Sequence, residues 1–513
     1  MTHGAGVTGF LLVLLCFSRV AAQLPDEVSA TLPASEVDIE ETEALEIPQS
    51  PPTTASTLDE LVQRLQNAEK RIAEMEISES VDLESTEESK STRFPDESKR
   101  RLEELWSNHQ DKKNSNRPSV QMFGRMHLEA LGFPNTSPGI ANFENPITGT
   151  DVEDRIQFRR IRLGAQGKIR DTGLYRIEFD LGNPSRSTFR DTYVGFEELP
   201  VFQTLLIGNQ KRPFGLDAWN SNQHVVFFER PLVINAFNPN FRRLGIESYG
   251  HSDGDILNWQ FGAFELEDVK GIGRDIGSPL HFSLNARFAT APWYDETSEG
   301  RSYWHLGVAN MYATTASSLS ASGNNGDLAS FNVRPELQTT NPWIDTGTLL
   351  GATDYNSTGL ETVLNLGSLQ LQGEYLTTTV DRQRDSYLNF HGGYLQAAYF
   401  LTGEYMPWDR KSGRLARPKP RKNFFAVRNR RDPAETGWGA WQIAARWSYL
   451  SLCDRDVQGG RQEDITLGLN WYWTTHSKLM LNLVDGRIQD RTPINGFSNG
   501  TFTGAGIRIL MDF

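Results

Sequence analysis

Cysteine is nearly absent from the 513-residue chain: Cys16 and Cys453 stand alone, too few for a disulfide framework or a cysteine-built zinc or iron–sulfur site and too far apart for a CxxC redox motif. No apolar run approaches the roughly 18–20 residues of a membrane-spanning helix. HExxH, a P-loop ending in GK[ST] and a dinucleotide-binding glycine fingerprint are all missing. Acid pairs such as FEEL and RQED are too common to mark a glycosidase. The Asp/Asn-rich loops lack the spacing of a calcium loop. No enzyme, metal or cofactor is therefore expected, and Cys453 reads as a structural or loop thiol. Cations are also in deficit: 51 Lys and Arg face 65 Asp and Glu, a formal charge of −14 that disfavours general nucleic-acid binding.

What is present begins with FLLVLLCF at 10–17, followed by SRVAA, which reads as an export signal over residues 1–22 with cleavage after Ala22. Residues 23–56 form an acidic segment, with eight acids and no Lys or Arg between 26 and 50, and cannot bury enough apolar surface to offset the entropy of ordering. Over 57–79, Leu58, Leu61, Leu65, Ala68, Ile72 and Met75 recur by three and four, the stripe of a short coiled coil. A lone amphipathic helix is the alternative, and fewer than three heptads need a partner to be stable. Residues 80–118 read as a polar linker with a possible short helix at KRRLEELW.

From 119 to 513 the period changes from helical to alternating. Trp441, Ile443, Ala445, Trp447 and Tyr449 fall on one strand face, as do Ile465, Leu467, Leu469, Trp471 and Trp473. Leu479, Leu481 and Leu483 share another, and Ile507, Ile509, Met511 and Phe513 a fourth. A hairpin is expected to turn near Gly367 and Ser368. Leu395, Ala397, Tyr399 and Leu401 align in the strand that follows. Helical stripes of similar length are missing after residue 118. An all-β body of this size without a linker suits a closed transmembrane barrel better than a soluble sandwich. At roughly 25 residues per strand and loop it accommodates about 16 antiparallel strands, with both ends on one side of the membrane. Phe513 completes an outward apolar stripe and reads as a barrel-insertion signal.

Charge is unevenly divided. Residues 23–118 hold 23 acids against 11 bases, whereas 119–513 hold 42 against 39. Within the nearly balanced body, Arg410, Lys411, Arg414, Arg417, Lys419, Arg421, Lys422, Arg428, Arg430 and Arg431 form a stretch free of acids. It reads either as an anion-focusing pore mouth or as a solvated or lipid-headgroup-contacting loop. Its side depends on strand parity: an inward strand at FFAVRNR, 424–430, places it in an extracellular loop, and without that strand it is periplasmic. In RIQFRRIRLGAQGKIRDTGLYRIEFDL, Arg160 and Arg162 share one face, and across the turn Arg176, Glu178 and Asp180 oppose Tyr175, Ile177 and Phe179. With the apolar sets in lipid, the arginines face the lumen, where their rigid donor forks suit oxyanions. Neutralisation by wall carboxylates is the alternative.

The segments RIQFRRIRLGAQG, LLIGNQKRPFG, FFERPLVINAF, YFLTGEY and the long block GWGAWQIAARWSYLSLCDRDVQGGRQEDITLGLNWYWTTHSKLMLNLVDGRI together resemble the phosphate-selective porin O and P family over roughly residues 120–513. That resemblance implies a 16-stranded, trimeric outer-membrane barrel with inward-folded loops and an anion pathway lined by Arg and Lys. Arg160, Arg162, Arg176, Lys211 and Arg212 are then the candidate pathway residues. The implied partners are small inorganic anions, phosphate foremost, together with outer-membrane lipid and lipopolysaccharide. It casts the N-terminal extension as periplasmic, trimerising or facing the cell wall. The sequence departs from the family pattern at Gln442 and in the turn TTHSK, leaving three functions open: a phosphate-preferring channel, a general porin for small hydrophilic solutes, and an envelope-tethering barrel with little conductance.

Overall fold

The computed structural model describes residues 118–183, 187–269, 280–315, 329–383, 386–424 and 437–513. The expected export signal, acidic segment, coiled-coil stripe Leu58 to Met75 and polar linker lie outside the described residues, as do Arg428, Arg430 and Arg431.

The body is a closed antiparallel barrel. Its first nine strands are β1 (Gln121–Thr136), β2 (Arg155–Ile169), β3 (Gly173–Asp180), β4 (Thr188–Leu199), β5 (Gln203–Lys211), β6 (Arg242–His251), β7 (Leu257–Glu265), β8 (Phe282–Tyr294) and β9 (Ser302–Thr314). A small sheet of β10 (Ser330–Val333) and β11 (Ile344–Thr348) intervenes before β12 (Ala352–Leu366), β13 (Leu369–Arg382) and β14 (Leu388–Phe400). A second small sheet, β15 (Trp408–Asp409) and β16 (Arg414–Leu415), precedes β17 (Ala440–Asp454), β18 (Val457–Thr474), β19 (Ser477–Arg491) and β20 (Gly500–Asp512). The wall thus has 16 strands, as the length predicts, and β1 closes it on β20 from Arg125↔Asp512 to Thr136↔Phe502. Phe513 and Gly124 exchange backbone hydrogen bonds at 3.1 Å across that seam, and the Phe513 ring lies where a Gly124 Cβ would stand.

The expected alternation holds. Ile443, Trp447, Ile465, Leu467, Leu481, Leu483, Ile507 and Met511 are exposed on the outer wall, while Gln442, Arg446, Asp464, Asn470 and Arg508 between them are buried. Among the described residues no helix is long and apolar enough to cross a membrane. The crossing is made by strands, of which β12–β14 and β17–β20 run 13–18 residues, beyond the roughly 9–11 a transmembrane strand needs. β3, β5 and β7 have only 8 or 9, so one side of the wall is low.

The expected strand at 424–430 is not part of this wall. Residues 425–430 lie outside the described ones, yet β14 pairs directly with β17 from His391↔Ser451 to Phe400↔Gln442, leaving no place between them. By parity the connection 401–439 therefore leaves the same end as the two-residue turns 367–368 and 475–476 and the C-terminus.

The lumen is filled by loops, two from the long-loop end and, from the short-turn end, the β15–β16 hairpin. The β5–β6 loop carries α2 (Leu216–Trp219) and α3 (Leu232–Phe237), and the β9–β12 loop carries β10 and β11. Leu232, Ile234, Phe237, Phe331, Leu337 and Trp343 from these loops pack on the lumen-facing Leu376, Val380, Phe390, Leu450, Met480 and Phe502. At about 1.5–3 kcal/mol per large apolar side chain buried, this contact fixes both loops in the barrel. Carboxylates orient them. Glu374 on β13 accepts the backbone N–H groups of Leu216 and Asp217 at 2.7 and 2.8 Å. Glu144 in α1 (Pro138–Glu144) accepts from Thr340 N at 2.7 Å and from Trp343 Nε1 at 2.8 Å. Glu336 takes Arg446 and Thr466, each at 2.5 Å.

Candidate functional site

Polar chemistry is concentrated on the lumen face of β1–β6. At Arg159 the strict alternation of β2 breaks: pairing with β1 shifts between His127↔Arg160 and Leu128↔Phe158, a bulge that points an extra residue inward. Arg159 and Arg160 consequently both reach Glu229 of the β5–β6 loop, at 3.0 and 3.8 Å. A period of two assigns Arg159 to the lipid face, which is why the sequence conceals it. Further along, Arg162 lies opposite Arg125 and beside Asp180, and Arg176 lies one turn toward the short-turn end, opposite Tyr193.

Most of these guanidiniums are ion-paired. Arg162 meets Asp180 at 2.8 Å and Glu178 at 3.7 Å; Arg125 meets Glu178 at 3.1 Å; Arg176 meets Glu178 at 3.5 Å and Asp191 at 3.8 Å. Arg242, on β6, makes a two-pronged pair with Asp191, both bonds at 2.8 Å. Glu229 is held below the usual carboxylate range: burial pushes it up, and Arg159, Arg160 and Arg508 together outweigh burial.

The pairs do not cancel where the surfaces converge. A cavity of about 400 Å³ opens between the β1–β6 wall, the β5–β6 loop and the β15–β16 hairpin. Arg125, Arg176, Lys211, Arg230, Arg242 and Arg414 line it against three carboxylates, Asp191, Glu247 and Asp409. Lys211 donates to the carbonyls of Trp219 and Asn220, at 2.8 and 2.9 Å, and among the described residues has no carboxylate in contact. The Phe241 ring shares its electron-rich face with Lys211 at 5.5 Å, Arg230 at 4.5 Å and Arg242 at 5.3 Å, which lowers the cost of crowding three cations. His224, also in the lining, is kept well below its ordinary pKa by burial and then by Arg417, Lys478 and Arg414, so it is neutral. Among the described residues, Arg125 Nε and Arg176 Nε as donors and Glu247 Oε1 as an acceptor are buried without a hydrogen-bond partner. The chemistry on offer is binding of an anion that both accepts and donates hydrogen bonds.

Of the residues singled out by sequence, Arg176 and Lys211 line the cavity, and Arg160 and Arg162 face the same lumen one and two carboxylates away. Arg212 does not join them. It is buried on the filled side, where it donates to Asn238 Oδ1 at 2.8 Å, because consecutive residues at the end of β5 point to opposite sides. Among the described residues of the basic stretch, Arg414 alone lines the cavity. Arg410 binds Glu296 at 2.5 Å, Arg417 binds Asp512 at 2.8 Å, and Lys411, Lys419, Arg421 and Lys422 are exposed at the short-turn rim. Arg125 and Arg242 lie outside the segments that carry the family resemblance, and Arg230, inside FFERPLVINAF, is not among the pathway residues expected from sequence. The FRRL that opens β6 was the available hint. Cys453 sits in the wall, with its thiol 3.3 Å from the Asp490 carbonyl.

Comparison with known proteins gives a family match, to phosphate-selective porin O and P, over residues 136–513. An uncharacterized protein of Caulobacter vibrioides is 26% identical over 364 residues, covering 70% of this chain and 68% of that one. Among solved structures, an anion-selective porin from Comamonas acidovorans aligns at 15% identity with a TM-score of 0.46, over 77% of this chain and all of that one. The outer membrane channel DcaP of Acinetobacter baumannii aligns at 11% and 0.44, over 77% and 97%. The closed barrel and the family match make this protein a passive, non-enzymatic channel of the outer membrane, and the chain belongs to the phosphate-selective porin O and P family.

Proposed function

We propose that the channel passes small inorganic anions and prefers phosphate. The observation that carries this reading is the lining of the 400 Å³ cavity, six cations against three carboxylates. Such an excess in a low-dielectric lumen lowers the energy of an entering anion and raises that of a cation. Phosphate at neutral pH keeps a proton. It can accept from Arg125, Arg176 and Lys211 while donating to Glu247, whose Oε1 has no hydrogen-bond partner among the described residues; chloride can do only the first. Ion pairing of the surrounding arginines serves the same end, because a wall of unpaired arginines traps an anion too deeply for release.

The filling of the lumen favours small solutes. The β5–β6 and β9–β12 loops and the β15–β16 hairpin pack apolar side chains inside the barrel. Short turns of bacterial outer-membrane barrels lie in the periplasm, which assigns Lys411, Lys419, Arg421 and Lys422 to the periplasmic rim as an electropositive exit. In the trimer we propose, the low wall of β3–β7 forms the contact. Its outward Ile177, Val194, Ile207, Leu244, Ile246 and Phe261 are exposed, and the coiled-coil stripe Leu58 to Met75 assists on the periplasmic side, where the N-terminal extension would meet the cell wall.

Reversal potentials of reconstituted channels across a salt gradient, in chloride and then in phosphate, test the reading. Anion selectivity that strengthens in phosphate is expected. Cation selectivity, equal passage of sugars and salts, or silence over many insertions would each overturn it.

A further inference from the structure

Across the lumen from the cavity, Arg287 on β8, His305 on β9 and Glu361 on β12 form a buried cluster that lines no part of the cavity. Arg287 donates to Glu361 Oε1 at 2.5 Å, and a ring nitrogen of His305 lies 2.8 Å from the same oxygen. A charge cluster this deep in a wall stands among the features least explained by passage of anions, since none of its three residues lines the cavity. Apart from Gln260 Oε1 on β7, which accepts from the Arg287 guanidinium at 3.3 Å, its outer contacts run to one segment. The Arg287 guanidinium also donates to the Gly413 carbonyl at 2.9 Å, the His305 ring lies 4.3 Å from the Trp408 ring at 32°, and the neighbouring Tyr303 hydroxyl donates to the Met406 carbonyl at 3.0 Å.

That segment is the β15–β16 hairpin, which presents Asp409, Ser412 and Arg414 to the cavity. On its other face it meets the β5–β6 loop: Trp219 Nε1 donates to the Ser412 carbonyl and Leu415 N to Asn220 Oδ1, both at 3.0 Å. A hairpin of two two-residue strands cannot hold itself. It is clamped between a loop and a wall: on the wall side the Asn258 amide of β7 donates to the Arg410 and Lys411 carbonyls at 2.7 and 2.9 Å, and among the remaining anchors Arg287 and His305 are themselves tied to Glu361.

We propose that Glu361 is a positioning residue of the selectivity site: by fixing Arg287 and His305 it holds the β15–β16 hairpin in the lumen, and so keeps Arg414 in the anion cavity from which Glu361 itself is remote. The inference rests on the anion reading for its consequence but not for its mechanics. With the carboxylate neutralised, Arg287 loses its charge partner and the hairpin its anchored neighbour, so the floor of the cavity moves while the β1–β6 wall stays in place.

Single channels of the full-length protein carrying Glu361→Gln, Arg414→Gln and both are the test. Glu361→Gln is expected to raise chloride conductance at least about two-fold, to add open-channel current fluctuations absent from the wild type, and to lower phosphate-over-chloride discrimination. Arg414→Gln is expected to lower discrimination without the fluctuations, and the double variant to discriminate no worse than the poorer single one, because residues acting through one element are not additive. Tyr303→Phe, which removes only the hydroxyl bound to Met406 and Gln370, should give a milder version of the fluctuations and serves if Glu361→Gln does not assemble. Wild-type conductance and noise in Glu361→Gln or, where it does not assemble, in Tyr303→Phe, or additive losses in the double variant, would overturn the assignment. Cation selectivity of the wild-type channel would instead defeat the anion reading and leave the fluctuation test intact.

Discussion

The two halves of the lumen are built from the same sheet by opposite rules. Along β1–β6 the inward positions carry Arg125, Arg160, Arg162, Arg176, Asp180, Asp191 and Arg242, and the cavity lies against them. Along β12–β20 the inward positions toward the long-loop end carry Leu376, Val380, Phe390, Leu450, Met480 and Phe502, and loops are packed onto them as onto the core of a soluble protein. The contrast teaches that one half of the lumen is closed by a hydrophobic core of loop and wall side chains. The other half is thereby freed to hold charge. A channel that narrowed itself with charged loops alone would need to desolvate many more ions to reach the same bore.

The comparison can be broken from either side. The largest effect is expected in the filled half. Trp343→Ala removes a fully buried indole and the hydrogen bond to Glu144 and should cost about 3–5 kcal/mol of stability, read as a lower temperature of heat-induced unfolding on gels, with the anion-to-cation permeability ratio retained. Next comes Arg242→Gln, which removes one cation and also releases Asp191 into the cavity. Loss of a charge-assisted contact of about 1.5–3 kcal/mol predicts roughly 10- to 100-fold weaker phosphate binding, measured by phosphate block of chloride current, with little change in unfolding temperature. Arg212→Gln sharpens the boundary between the halves: although cationic and adjacent to Lys211, it should leave selectivity unchanged, and a changed reversal potential would move it into the pathway. The smallest effect is predicted for His224→Ala. With its pKa held well below the ordinary value by burial and neighbouring cations, the ring is uncharged near neutral pH, so the variant and the wild type should show the same selectivity there.

The two halves were also unequally legible in the sequence. In β17–β20 the outward Trp447, Ile465, Leu483 and Ile507 alternate with polar inward residues such as Asp464 and Arg508, so a period of two exposes the barrel directly. In β13 and β14, inward Leu376, Val380, Leu388 and Phe390 are as apolar as the lipid face, and the alternation fades where the core lies. The loops that supply the rest of that core have no period of their own, so LVINAF announces neither its depth nor its neighbours. For the site, Arg176 and Lys211 were within reach because they sit on regular strands. Arg159 was hidden by the bulge opposite His127 and Leu128, while Arg414 was named within the basic stretch and only the end of the barrel it enters from was left open by strand parity. Arg230 enters through a loop fold that only tertiary packing determines.

The central claim is that the cation excess of one cavity selects phosphate over chloride. Its most direct measurement is the chloride current of single wild-type channels as phosphate is added to both sides. The account predicts saturable block at phosphate concentrations far below that of chloride, weakened in Arg242→Gln and preserved in Arg212→Gln. A chloride current indifferent to phosphate, or equally blocked in both variants, would contradict it.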